Sequence, residues 1–271
     1  MSTLSELLLF LERIGRRPNK SLSQNFLIDP NIVRKIVDLA AIQSDSVLEI
    51  GPGAGALTEE LLKRNVHLFA VEKDPILADE LKKKFDKLTI FPCDILKFDL
   101  SSLCSYAPLK VVANLPYHIT TPILEKLLCE RDLFSSFTVM MQEEVAQRIQ
   151  AKPGSKEFSS LSLFLQFHTA IQGSFKVSPS CFYPRPKVSS RVLHFSLKPP
   201  PIQEEAQLFS LIRKAFQMRR KMIRTSLQSF APQEKITEAL VAAKVSPNAR
   251  PEELSLEQWI IVFQKLCDFL F

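Results

Sequence analysis

Apolar positions along this chain change period several times, and the changes mark out its elements. From about residue 45 to 141, short β-rich runs alternate with stretches whose apolar residues recur at helical spacing, the pattern of a parallel sheet covered by helices. Strands are predicted over 46–51, 67–72, 88–92, 110–114 and 137–141, and helices over 57–64, 75–85 and 121–130, the last two with Pro at or near the first turn. Before this block, Ile32, Val33, Ile36, Val37 and Ala40 predict a helix over 30–40, expected to cap one edge of the sheet. Residues 161–167 alternate as a strand does, yet their length and flanks also allow a helix. Residues 188–195 alternate more cleanly and predict a late strand. Pro199-Pro200-Pro201 then breaks all regular structure. A boundary there divides a domain of residues 1–198 from a small all-helical domain of 199–271.

Composition adjusts this picture little. With 271 residues, 46% hydrophobic and 24% charged, the chain can bury a full-sized core and carry an appendage. The five cysteines (93, 104, 129, 181, 267) lie at long, irregular spacings. Neither a disulfide framework nor a zinc knuckle is indicated, and a reducing, cytoplasmic setting fits. The apolar run from Leu7 to Leu11 is short and flanked by Glu6 and Glu12, which predicts an amphipathic helix rather than a signal peptide. No run approaches the roughly 18 apolar residues of a membrane span.

The placement of charge is more informative. Between Glu205 and Glu234 there is no acid, whereas Arg213, Lys214, Arg219, Arg220, Lys221 and Arg224 all lie there and equal the whole formal excess of +6. Such clustering points to a polyanion-facing surface, the alternative being a solvated helix face. Residues 216–227 are expected to form a helix whose Arg219, Arg220, Lys221 and Arg224 meet phosphates. Arg13, Arg16, Arg17 and Lys20 form a second basic patch.

The candidate chemistry sits at the strand ends. Val47 to Gly55 reads as a buried strand running into Gly51-Pro52-Gly53-Ala54-Gly55, a turn that lets a ligand approach the backbone. The G-x-G-x-G spacing, with an acid two residues before the first glycine, is similar to the adenosylmethionine loop of class I methyltransferases. Glu72, 21 positions after Gly51, can accept ribose hydroxyls. Asp94 reaches the same edge and can accept from an adenine amino group. Asn114-Leu115-Pro116-Tyr117 follows the fourth strand. An exocyclic amine is a poor nucleophile because its lone pair is delocalised into the ring. Two acceptors aimed at its N–H bonds, the Asn114 side-chain oxygen and the Leu115 carbonyl, favour the pyramidal form that attacks a methyl group. Pro116 fixes φ, and Tyr117 offers a ring on which a flipped base can stack. Positioning and electrostatics suffice, with no strong base. His67, His168 and His194 form no ligand constellation, so no metal is expected.

These features, together with residues 20–27, 114–122, 142–146, 182–188, 219–221 and 250–254, resemble the small-subunit ribosomal RNA adenine N6,N6-dimethyltransferases, the kasugamycin-resistance family. The resemblance runs nearly end to end. It implies a class I methyltransferase (Rossmann-like) fold with a mostly parallel seven-stranded sheet and helices on both faces, plus the small C-terminal helical domain. It further implies S-adenosylmethionine as cofactor, with the segment 1–45 folding over it. Asn25 and Leu27 thereby join Gly51, Gly53, Glu72, Asp94 and Asn114 as cofactor-binding candidates. Phe182 becomes a second aromatic wall opposite Tyr117. The implied substrate is two adjacent adenosines near the 3′ end of 16S rRNA in the small ribosomal subunit, with a monomeric enzyme and no membrane partner. The rivals are a large-subunit rRNA adenine methyltransferase of the macrolide-resistance type and a non-enzymatic RNA-binding assembly factor. Ser23, Cys93 and His118 depart from the family's usual residues.

Overall fold

The computed structural model describes residues 3–19, 24–218 and 220–270. The chain divides into two compact units, residues 1–146 with 171–197, and residues 147–170 with 198–271.

In the first unit a helix, α1 (Leu4–Arg13), and a short strand, β1 (Phe26–Leu27), precede α2 (Pro30–Leu39). The alternating block follows as β2 (Ser46–Ile50), α3 (Ala56–Leu62), β3 (His67–Glu72), α4 (Pro75–Lys84), β4 (Leu88–Pro92), β5 (Leu109–Asn114), α5 (Thr120–Cys129) and β6 (Phe134–Gln142). Next come α6 (Glu143–Gln150), then α7 (Ser160–His168), which belongs to the second unit, and β7 (Thr169–Val177), β8 (Phe182–Tyr183) and β9 (Ser190–Leu197). Strands pair in the order β4-β3-β2-β5-β6-β9-β7. β4, β3, β2, β5 and β6 run parallel, and β9 is antiparallel to β6. The sheet is therefore seven-stranded and mostly parallel, as expected. Strand order reverses between β2 and β5, and in such sheets ligands bind at the carboxyl ends of the strands beside that point.

Local chemistry explains the helix starts. The Asp29 carboxylate accepts from the N–H groups of Asn31 (2.9 Å) and Ile32 (3.3 Å), with Pro30 in the first turn. Asp74 caps α4 likewise, accepting from Ile76 N–H at 3.0 Å ahead of Pro75. The edge position expected for α2 needs correction. Val33, Ile36 and Val37 share a core with Val47, Leu68, Val112, Met140 and Val192 from five strands, because an apolar stripe this wide is buried only by a sheet face. Lys35 and Leu39 of the same helix also reach the edge strand β7, at the Phe175 ring and at Gly173.

Among the described residues the second unit contains α7 together with α8 (Glu205–Gln217), α9 (Ile223–Ser226), α10 (Gln233–Ala242) and α11 (Leu256–Leu270). Phe158, Leu163 and Phe167 share one core with Leu208, Phe209, Ile212, Leu240, Trp259 and Phe263. Burying each such side chain contributes roughly 1.5–3 kcal/mol. This packing assigns residues 147–170 to the helical unit, whereas the sequence reading kept them within a continuous 1–198 domain. The open choice at 161–167 resolves as helix: Ser159 and Ser162 form a reciprocal capping box, and the segment is buried on several sides, which blurs its period. The helix expected over 216–227 is broken. α8 ends at Gln217, and Met222 is extended (φ −64°, ψ 149°) before α9. The Ile223 N–H donates to the Ala249 carbonyl at 2.7 Å while the Ile223 side chain is fully buried, so tertiary packing overrides helical continuity there. Among the described residues no helix is long and apolar enough to cross a membrane.

Candidate functional site

The strand register brings the candidates to one edge. Ile50 lies opposite Val71, Glu72 opposite Pro92, and Asn114 opposite Met140, so Gly51, Glu72, Asp94 and Asn114 leave neighbouring strands on the same side. They line a cleft of about 1030 Å³, counting its open mouth, together with Asn25, Leu27, Gly53, Leu115, Pro116 and Tyr117. Every expected cofactor-binding residue is therefore brought together.

The glycine loop has left-handed φ values of +66° at Gly51, +57° at Gly53 and +84° at Gly55, a conformation that side-chain-bearing residues disfavour. A Cβ on Gly55 would lie 2.7 Å from Leu81 Cδ2. The loop is tied to the next strand, because Gly53 N–H donates to Glu72 Oε2 at 2.9 Å and Asp74 N–H donates to Glu72 Oε1 at 2.9 Å. Glu72 is 6% exposed, and burial raises its pKa while these backbone donors oppose the rise. Each carboxylate oxygen retains a further lone pair for a ligand hydroxyl.

Asp94 accepts from Lys73 Nζ at 2.8 Å and from Leu96 N–H at 3.0 Å, and the Lys73 ammonium holds its pKa below the usual carboxylate value. Lys73 itself lines the cleft. Asn114 donates through Nδ2 to the Asn25 carbonyl at 3.0 Å, which commits the nitrogen and leaves Oδ1 as the acceptor end of the amide. Leu115 N–H donates to the Met140 carbonyl at 3.0 Å, fixing the Asn114–Leu115 peptide. The Tyr117 hydroxyl lies 2.6 Å from Ser190 Oγ. Burial raises the Tyr117 pKa against the opposing Ser190 bond, so the phenol stays neutral.

The described part of the amino-terminal segment packs beside this edge. Leu7, Phe10 and Leu11 of α1 share a core with Phe26, Ala54 and Leu77, and Arg13 pairs with Glu80 at 3.0 Å and Arg16 with Asp74 at 3.3 Å. Gln24 to Leu27 thereby border the cleft.

Phe182 is placed differently. It is 3% exposed, pairs with Leu27 across the β1–β8 ribbon, and packs in the core with Val33, Val177 and Val192. It does not line the cleft, so stacking on a base from this position requires the ribbon to shift. In the second unit, Arg213, Lys214, Arg220 and Lys221 are exposed and Arg224 is half-buried. Arg219 and residues 20–23 lie outside the described residues. Among the described residues no cluster of three or more His, Cys, Asp or Glu could hold a metal ion.

Three contributors carried no assigned role in the sequence reading. Glu49, 1% exposed, lines the cleft and accepts from Thr58 Oγ1 at 2.7 Å. Lys73 pairs with Asp94, and Ser190 holds Tyr117. Glu49 and Lys73 each carry a positional signal, two residues before the first glycine and beside Glu72. Ser190 has none.

The cleft can be set beside known proteins. A family model described as ribosomal RNA adenine dimethylase matches residues 15–268. The chain is 49% identical to the ribosomal RNA small subunit methyltransferase A of Protochlamydia amoebophila, over 97% of this chain and 96% of that protein. It is 46% identical to the protein of the same name from Chlamydia abortus, over 98% of each. Among solved structures, a dimethyladenosine transferase from Plasmodium falciparum superposes with a TM-score of 0.79 at 24% identity, covering 91% of this chain and 100% of that one. The 23S rRNA methyltransferase ErmE superposes with a TM-score of 0.72 at 27% identity, covering 90% and 100%.

Proposed function

The chain belongs to the ribosomal RNA adenine dimethylase family and is an S-adenosylmethionine-dependent ribosomal RNA methyltransferase; we propose that it dimethylates the N6 amines of two adjacent adenosines in the 3′-terminal hairpin of small-subunit 16S rRNA. The observation that carries this reading is the Asn114 amide in the cleft, its nitrogen held by the Asn25 carbonyl at 3.0 Å and its oxygen left to accept. An acceptor fixed before substrate arrives needs no reorganisation during the reaction.

The cleft fits the cofactor. Buried Glu72 suits ribose hydroxyls, Asp94 suits an adenine amino group, and the glycine loop exposes backbone at close range. When bound, S-adenosylmethionine supplies an electrophilic methyl group on a sulfonium. The chain's own residues then orient the nucleophile. Asn114 Oδ1 and the Leu115 carbonyl accept the two N–H bonds of the amine and favour its pyramidal form. Tyr117 supplies one stacking wall, and in this reading Phe182 supplies the other once the β1–β8 ribbon shifts, at roughly 1–3 kcal/mol per stacked base. After one transfer a single N–H remains, so a second transfer needs only one acceptor and room for a methyl group at the other.

In the same reading residues 1–198 carry the cofactor site and 199–271 bind RNA backbone through Arg219, Arg220, Lys221 and Arg224. In this reading the enzyme works as a cytoplasmic monomer without a metal, and its free cysteines fit a reducing compartment. The 49% and 46% identities over nearly the full length to proteins named for the small subunit support the small subunit as the substrate. Nucleoside mass spectrometry of unmethylated small subunits treated with protein and cofactor tests the reading: N6,N6-dimethyladenosine in the 16S hairpin is expected. A methyl group on large-subunit RNA alone refutes the choice of substrate. Binding of small subunits without transfer favours an assembly factor.

A further inference from the structure

Tyr117 stands in a short 3-10 turn, Tyr117–Ile119, immediately before α5. Its backbone alone does not fix the direction in which the ring presents its face, because two side-chain torsions intervene. The far end of the ring is held instead by Ser190 Oγ at 2.6 Å, 73 positions later in the chain. Ser190 is fully buried and opens β9, opposite Gln142 at the end of β6. Its two neighbours are both tied to Glu143. The Ser189 carbonyl accepts from Glu143 N–H at 2.9 Å, and Arg191 meets Glu143 Oε1 through Nε at 3.0 Å and Nη2 at 2.9 Å. A charge-assisted fork of this kind restrains the residue beside it. Ser190 is thus bracketed on both sides, and its backbone and Cβ are as fixed as the sheet.

We propose that Ser190 is a positioning residue for methyl transfer, holding the Tyr117 ring by its phenolic oxygen so that the ring face is presented to the target base, with Glu143 and Arg191 keeping Ser190 in place. This rests on the proposed base-stacking role of Tyr117. A pair of hydroxyls that merely satisfy one another would affect folding stability and leave the rate constant alone. A positioning pair affects the rate through a single shared effect.

The test is a double-mutant cycle in the full-length protein, with Ser190→Ala, Tyr117→Phe and both together. Single-turnover methyl transfer to unmethylated small subunits, cofactor affinity and thermal unfolding are measured for each. Each single change is expected to lower the transfer rate roughly three- to tenfold, the effect of losing one hydrogen bond, and to leave cofactor affinity within about twofold. The double variant is expected to be no slower than the slower single one, because both changes remove the same bond. Rate losses that multiply in the double variant, or a Ser190→Ala rate equal to wild type, overturn the proposal. If Ser190→Ala does not fold, Tyr117→Phe removes the bond without touching β9, and a wild-type rate for it overturns the proposal equally. Wild-type protein that transfers no methyl group to either ribosomal RNA overturns the functional reading and this one together. An active wild type with a failed cycle overturns only the role of Ser190.

Discussion

Replacing Glu49 with Gln should change how the stability of the first unit depends on pH. Glu49 ends its side chain in the core at 1% exposure. Burial raises its pKa from 4.5 to about 8, with the Thr58 hydroxyl opposing the rise and the Glu72 carboxylate adding to it. Below pH 4.5 the carboxyl is protonated in the folded and the unfolded chain, and it contributes no pH dependence. Between 4.5 and about 8 only the unfolded chain gives up the proton, so stability falls as pH rises. Above that window the loss is complete. At about 1.4 kcal/mol per pH unit, the full shift corresponds to roughly 5 kcal/mol, of which roughly 4 falls between about pH 5 and about pH 9.

Glutamine keeps an oxygen for the 2.7 Å bond from Thr58 and never ionises. Its unpaired amide hydrogens cost about 1–3 kcal/mol, but that cost is the same at both pH values and cancels in the difference. Urea unfolding of cofactor-free protein is the assay, followed by far-UV circular dichroism for the whole chain. Fluorescence of Trp259, the single tryptophan, reports the core of the second unit and serves as an internal control. The gap between variant and wild type should open by roughly 4 kcal/mol in favour of the variant from about pH 5 to about pH 9. A gap that moves by less than about 1 kcal/mol refutes the buried, protonated carboxyl. Because Glu49 lines the cleft, a cationic ligand beside it favours the ionised form, and saturating S-adenosylmethionine should shrink the pH dependence of the wild type.

Asn114→Ala removes the amine acceptor along with the tie to Asn25; single-turnover transfer should fall by about 10²–10³-fold while cofactor binding is weakened but measurable, and wild-type turnover contradicts the role. Gly55→Ala forces a Cβ into a residue at φ +84° and against Leu81 Cδ2, which should cost about 1–3 kcal/mol in urea unfolding; unchanged stability contradicts the crowding. Phe182→Leu keeps most of the core volume, so stability should change by less than about 1.5 kcal/mol, while loss of the ring should slow transfer roughly tenfold; equal transfer rates confine Phe182 to the core it occupies here. Replacing Arg220, Lys221 and Arg224 together with Ala should reduce the log–log salt slope of RNA binding by roughly two; an identical slope returns them to a solvated surface.

The alternating block was legible because β2, β3 and β5 are largely buried runs, each ending at a residue with a local reason to stop it. β2 runs into Gly51, β3 into the Asp74 cap and β5 into Pro116, and the catalytic edge follows from where those stops fall. β7 carried no such signal. Thr169 and Val177 are the only buried residues in its nine positions, so nothing in its polarity separates an edge strand from a loop. The division between the units was hidden for a different reason. Phe158, Leu163 and Phe167 are as apolar as any residues of the first core, and only their partners Phe209 and Trp259, distant in sequence, decide which core they join. The same limit applies within the site. Glu72 and Asp94 declare themselves by ending strands, whereas a serine opening a late strand has no chemistry until the sheet register sets it opposite Gln142 and within 2.6 Å of a tyrosine hydroxyl. Residues that act by touching a ligand can be read from the turn that presents them; residues that act by holding another side chain become visible only through the register that joins them.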